Sequence, residues 1–123
     1  FMYLLLIQSD HEIVERIDYH QQLQECIVYI HQHYKENISL EDIAHYGNIS
    51  IGHCGRLFTQ TLDTTPYEYL INYRINKSIE LLSRTNYTIT HIALEVGFND
   101  VSHFIQVFKK KMGITPKQYQ KKL

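Results

Sequence analysis

The chain has 123 residues, a length that fits one domain. Its residues are 44% hydrophobic, enough for a modest core, and its 2 Pro and 5 Gly are too few for a turn-rich all-β fold. A net charge of -1 excludes an evenly basic chain, but the charge is unevenly spread. Residues 1–20 carry Asp10, Glu12, Glu15 and Asp18 against Arg16 alone. No acid follows Asp100, where Lys109, Lys110, Lys111, Lys117, Lys121 and Lys122 gather. A basic end on a near-neutral chain is the footprint of a surface that meets phosphate, or else a solvated lysine tail. Cys26 and Cys54 form neither a disulfide framework nor a zinc spacing, which reads as intracellular. The apolar run Phe1–Ile7 is far shorter than the roughly 20 residues of a membrane span, and no basic segment precedes it as in a secretory signal. The chain begins with Phe rather than Met, as a piece of a longer protein would.

From residue 20 the apolar residues recur at helical spacing. Leu23, Cys26, Ile27, Ile30 and Tyr34 line one face of a helix over about 20–35. Ser39 opens a short helix as N-cap, with Asp42 three residues on as in a capping box, and Leu40, Ile43 and Ala44 are its expected buried side. Asn48 suits a left-handed turn, and Ser50 caps a helix over about 51–61. Thr65-Pro66 is the strongest boundary signal, since Pro at the first helical position loses no hydrogen bond. Tyr67, Leu70, Ile71, Ile75, Ile79 and Leu82 then carry one helical pattern to about Ser83. Thr88 or Thr90 opens a short helix with Ile89, Ile92 and Ala93, ended by Gly97. Asn99 or Asp100 caps a helix to about Lys111, which Gly113 stops, and Thr115-Pro116 starts a last short one.

The two halves repeat. Ile43-Ala44 matches Ile92-Ala93 at an offset of 49, while His53, Phe58, Thr65, Pro66 and Tyr69 match His103, Phe108, Thr115, Pro116 and Tyr119 at an offset of 50. The one-residue difference falls in the turn between the helices. Each copy is a short helix with Ile-Ala, a turn, a longer helix ending on Phe, and Thr-Pro. Alanine lets the second helix cross closely and Phe anchors that helix in the core, which is the physical pattern of a helix-turn-helix.

The second copy runs Ile89-x-x-Ile92-Ala93-x-x-Val96-Gly97-Phe98-x-Asp100-x-Ser102-x-Phe104-x-x-x-Phe108-Lys109-Lys110, then Gly113-x-Thr115-Pro116-x-x-Tyr119. The first has Ile38-Ser39-Leu40-Glu41-Asp42-Ile43-Ala44, Ser50, Arg56-Leu57-Phe58, Pro66-x-x-Tyr69-Leu70, Arg74-Ile75 and Leu81-Leu82. Over about residues 22–120 these motifs resemble the AraC/XylS family of bacterial transcription regulators. The resemblance implies an all-α fold of two helix-turn-helix subdomains, each a homeodomain-like three-helix unit, over 21–64 and 85–123, joined by a long linker helix over 65–84. It implies double-stranded promoter DNA as partner, with both recognition helices docked in successive major-groove segments, RNA polymerase as a second partner, and a cytoplasmic, nucleoid-associated location. It also implies a sensor or dimerisation domain upstream, of which residues 1–20 would be the tail or a linker. A linker of about 18 residues at about 1.5 Å rise spans about 27 Å, in range of the roughly 34 Å period of a DNA turn. The expected site is two unlike boxes.

The first recognition helix presents Gly52, His53, Gly55 and Arg56, and the resemblance places base contacts near Gly52, Gly55 and Arg56. Arg56 can donate two hydrogen bonds to guanine, with phosphate or a carboxylate as the plainer alternative. The second presents Val101, Ser102, His103 and Gln106: Val101 suits a thymine methyl, Ser102 a base or phosphate, Gln106 adenine. Phosphate contacts are expected from Ser39, Ser50, Thr88, Lys109, Lys110 and Lys111, which position without specifying. Several residues depart from the family pattern. The glycines supply no side chain, Asp63 stands where the other copy has Gly113, Cys54 takes a slot usually held by Leu, and Gln106 and Gln120 stand where Arg is common. With the low net charge, these departures motivate a second reading, a protein-interaction module that keeps the fold. The same family module occurs fused to alkyl-transfer DNA repair proteins, but two isolated cysteines cannot supply their zinc-held cluster, and no nucleophile motif or phosphate loop argues for an enzyme. The eight histidines are scattered without ligand spacing, so neither metal nor cofactor is expected.

Overall fold

The computed structural model of the chain describes residues 19–123; the expectations for residues 1–18 lie outside them. The described residues form seven helices: α1 (residues 19–33), α2 (Leu40–Tyr46), α3 (Ile51–Leu62), α4 (Pro66–Arg84), α5 (Ile89–Glu95), α6 (Val101–Met112) and α7 (Pro116–Lys121). They fall into two compact units. One takes the described residues up to Gln32 together with Ser39–Pro66, and the other takes His33–Ile38 with Tyr67–Leu123.

In the first unit, Leu23, Cys26 and Ile30 from α1 are buried with Ile43 and Ala44 from α2 and Cys54, Leu57 and Phe58 from α3. The Ser39 hydroxyl accepts the Asp42 N–H at 3.1 Å while the Asp42 carboxylate accepts the Ser39 N–H at 2.9 Å, closing the expected capping box. That backbone N–H, and then the hydroxyl, hold the Asp42 carboxyl below the usual carboxylate range. The cap is therefore complete above the ordinary pKa and is lost as acid protonates Asp42. Leu40 does not join the buried side as expected: it is 38% exposed, because the first helical residue of so short a helix has no neighbouring turn to cover it. Cys54 is fully buried. A hydrogen bond with the Cys26 thiol, reinforced by burial, pushes the Cys54 thiol far up, which keeps it a small, unreactive core residue.

In the second unit, Ile71, Ile75, Leu82, Ile92, Ala93, Val96, Phe98, Phe104 and Phe108 form one cluster. A run of rings crosses it, from Phe98 to Phe104 at 5.2 Å, on to Phe108 at 5.8 Å and to Tyr119 at 5.9 Å, at tilted or edge-on angles that aromatic quadrupoles favour. Tyr34 packs against this cluster rather than continuing the face of α1, which ends one residue earlier. Two polar residues of α4, Arg74 and Ser78, are also buried. The Ser78 hydroxyl donates to the Ile75 carbonyl at 2.6 Å. Arg74 Nε donates to the Tyr34 carbonyl and Nη2 to the Glu36 carbonyl, both at 2.8 Å, and its guanidinium lies 5.9 Å from the Phe98 ring centre.

Both units build the same turn. In the first, the Ala44 carbonyl accepts the Ile49 N–H at 3.1 Å and Asn48 takes φ 58°; in the second, the Ala93 carbonyl accepts the Phe98 N–H at 2.9 Å and Gly97 takes φ 101°. The extra residue of the second copy is Asn99, after which Asp100 caps α6 as Ser50 caps α3. Gly97 has two reasons to be glycine: its φ is positive, and a Cβ there would collide with the Tyr34 carbonyl oxygen and stand 2.7 Å from Arg74 Nε. Gly97→Ala is therefore expected to destabilise the domain by more than about 2 kcal/mol, seen as a lower urea midpoint at unchanged slope. A change under about 0.5 kcal/mol would mean that the turn is not tied to Arg74 as described.

Candidate nucleic-acid interface

The second helix of each helix-turn-helix, α3 and α6, is held from below by a pair of buried side chains one turn apart: Cys54 and Phe58 in α3, Phe104 and Phe108 in α6. The opposite face is left to solvent. The N-terminus of each helix is fixed by a side chain. Ser50 Oγ accepts the His53 N–H at 3.1 Å, and Asp100 Oδ1 accepts the Ser102 N–H at 3.0 Å. These bonds satisfy one of the free backbone donors and set the direction in which the first turn presents its residues.

On α3, Gly52 and Arg56 are exposed and Gly55 is half-buried. His53 is half-buried and its ring stands edge-on to Tyr19 with centroids 4.7 Å apart, so its imidazole is already engaged within the unit. Each glycine costs the helix about 1 kcal/mol relative to alanine. On α6, Ser102, His103 and Gln106 are exposed on one side, while Val101 is half-buried against the core. His103 leans edge-on over Phe98 at 5.6 Å, which leaves its outer ring edge to solvent.

The expected phosphate-binding residues divide into two groups. Ser39, Ser50 and Thr88 are all N-caps whose oxygens accept a backbone N–H, at 3.1 Å in each case. Each keeps its hydroxyl proton free to donate. Lys109 and Lys110 are exposed in the last turn of α6, where cations also favour the helix dipole. Lys111 differs, because its ammonium sits 3.0 Å from the Glu68 carboxylate on α4. That pairing spans 43 positions of sequence and no local pattern announces it. The packing of His53 on Tyr19 was missed for the same reason.

Asp63 ends α3 in the left-handed conformation, φ 55°, where Gly113 at φ 82° ends α6. A left-handed residue other than glycine is disfavoured, though Asp tolerates it better than most. Among the described residues no group of three or more His, Cys, Asp or Glu is arranged to hold a metal ion, and no helix is long and apolar enough to cross a membrane.

Residues 43–122 match the family profile of a helix-turn-helix domain. A helix-turn-helix-type transcriptional regulator of Bacillus subtilis, YdeC, is 40% identical over 114 residues, covering 93% of this chain and 39% of its own length. The AraC-type DNA-binding domain of a Chromobacterium violaceum transcriptional regulator superposes with a TM-score of 0.76 at 32% identity, over 80% of this chain and 88% of that one. The chain belongs to the AraC-type helix-turn-helix family. A third likeness is one of fold alone: the DNA-binding domain of AdpA, solved in complex with a target DNA, has a TM-score of 0.78 at 23% identity, over 81% of this chain and 90% of that one.

As an AraC-type domain, the chain is a DNA-binding module of the kind found in transcriptional regulators, which favours that reading over an interaction module that has lost it. It spans about two-fifths of the length of YdeC. The Lys111–Glu68 pair neutralises one of the six lysines that follow Asp100. Glu68→Gln is expected to leave stability within about 0.5 kcal/mol, because the pair is partly exposed. It should also tighten low-salt binding to a random duplex, followed by fluorescence anisotropy. Unchanged or weaker binding would show that Lys111 does not face phosphate.

Proposed function

We propose that this domain binds double-stranded promoter DNA with sequence preference, laying α3 and α6 into successive major-groove segments, and so serves as the DNA-reading part of a transcription regulator. The observation that carries the reading is the repeat itself. Two copies, matched at an offset of 50 residues, each hold a capped helix by its buried side and turn its polar side outward. One such helix would suit many partners. Two in one short AraC-type chain suit a periodic ligand, and α4, 19 residues and so about 28 Å long, is of the order of the DNA repeat.

In this reading residues 21–64 and 85–123 carry the two reading helices and 65–84 joins them, with α4 also packed into the second core. Helix α1 begins at residue 19, and the tail or linker of an upstream sensor or dimerisation region would precede it. RNA polymerase is the second partner, the location is the cytoplasm at the nucleoid, and the work is binding rather than catalysis. Arg56 takes the chief base contact of α3, with its fork on guanine O6 and N7. On α6, Ser102, His103 and Gln106 face base edges and Val101 sits at the margin, where a thymine methyl suits it. His53, engaged by Tyr19, contributes least. Lys109, Lys110 and the cap hydroxyls of Ser39, Ser50 and Thr88 track the backbone, with Lys111 joining once it leaves Glu68.

Selection from a random duplex pool should return a bipartite site of two unlike boxes. Arg56→Ala is expected to relax preference at one position of one box, by about 1–3 kcal/mol. Lys109→Ala should instead weaken all duplexes alike and reduce the salt slope by about one unit. Absence of duplex binding at low salt would overturn the reading. An Arg56→Ala protein with unchanged affinity and preference would overturn the assignment of Arg56.

A further inference from the structure

The first two turns of α3 carry glycine at two positions that nothing in the fold requires to be glycine, Gly52 exposed and Gly55 half-buried at the flank of the buried side. A Cβ built on Gly55 meets nothing within 4 Å, and one on Gly52 meets only Arg56 Nη1 at 3.4 Å, an ordinary van der Waals contact. Neither residue is among those with positive φ. The same scaffold accepts side chains at these two positions, because the second copy, 50 residues on, carries the exposed Ser102 and Ile105, the latter half-buried against its own core, whereas a Cβ on Gly55 meets open space. Glycine inside a helix weakens it, and this helix is only 12 residues long. A stability cost with no packing return points to the solvent side, where the ligand would be.

The geometry around Arg56 gives that cost a use. Its guanidinium lies back over Gly52, with Nη1 against the space that a side chain there would fill. Of the other polar candidates on this helix's first two turns, His53 is packed on Tyr19. Arg56 is thus a long cationic arm lying across bare backbone. We propose that the missing side chains at Gly52 and Gly55, rather than any contact they make, set the preference of the first recognition helix. Their absence clears the helix so that the floor of the major groove can approach the backbone closely enough for Arg56 to reach a guanine. The proposal rests on the DNA-binding reading above. It has a definite consequence for the ligand: because glycine offers no side-chain hydrogen bond, the box read by α3 should be dominated by one guanine with tolerant neighbours, whereas the box read by α6 should spread its preference over several pairs.

The test uses the full chain with Gly55→Ala, Gly55→Ile and Gly52→Ser, the last two being the residues of the second copy. Melting temperature and anisotropy against the duplex selected by the wild-type protein are read side by side. The expected result is opposite signs: Gly55→Ala raises the melting temperature by a few degrees, while all three variants lose at least tenfold in affinity for the selected duplex. Loss of affinity with a lowered melting temperature in Gly55→Ala would mean that the glycine serves the fold, and the proposal falls. Variants that bind the selected duplex as tightly as wild type also overturn it, and leave the DNA-binding reading intact. A wild-type protein that binds no duplex at low salt overturns that reading instead, and this proposal with it. A selected site without a dominant guanine in one box would refute the role given to Arg56.

Discussion

The second unit is organised around one buried cation. A guanidinium taken out of water is costly unless its donors are met, and Arg74 meets the requirement with main-chain carbonyls rather than a carboxylate. Burial pulls its pKa down from the ordinary arginine value, the expected direction for a cation with no buried acid beside it. The two carbonyls belong to Tyr34 and Glu36, so the segment after α1 is strapped to α4 and counts with the second unit although it precedes α2 in the chain. The strap in turn dictates Gly97, whose bare Cα faces both the Tyr34 carbonyl and Arg74. It also dictates Phe98, whose ring covers the guanidinium and begins the aromatic run that holds α6. The presentation of α6 thus traces back through Phe104 and Phe98 to a residue on another helix.

The first unit solves the same packing problem without such a cation. Its capping box and its Ile43-Ala44 pair rest on local signals, while its buried cysteines meet from α1 and α3. It also carries the larger share of local strain. Asn48 and Asp63 both hold left-handed backbone where the second copy has Gly97 and Gly113, and the two glycines sit inside α3, where they weaken it. The copies therefore place glycine in opposite ways. The second puts it where the backbone needs it, and the first puts it within α3, where no turn or contact requires it.

What the sequence makes legible follows from this contrast. Caps at Ser39, Ser50, Thr88, Thr115 and Asp100, the left-handed turns, and the matched helices are short-range features whose residue types act within four positions, so they can be read directly. The features that escape reading are long-range. Tyr34 continues the periodicity of α1 but is captured by the other core. Lys111 looks like one more free lysine until Glu68 arrives from 43 residues away, and His53 looks available until Tyr19 is seen beside it. Arg74 did leave a trace: with Ser78 it falls on the apolar stripe of Leu70, Ile71, Ile75 and Leu82, and a polar pair on such a stripe signals buried hydrogen bonding.

Electrostatics then shape how such a domain can hold DNA. With a net charge of -1 it has no strong uniform field to draw in a polyanion, so attraction has to be local. The last turn of α6 carries Lys109, Lys110 and Lys111 whereas that of α3 has no cation, so in the proposed reading α3 depends on Arg56. An arm that both attracts and reads is worth more if nothing stands between it and the groove. In the proposed reading this sets the bare turn of α3 against the lysine-rich end of α6: one unit would gain its hold from charge beyond its reading face, and the other would have to obtain hold and preference from the same side chain.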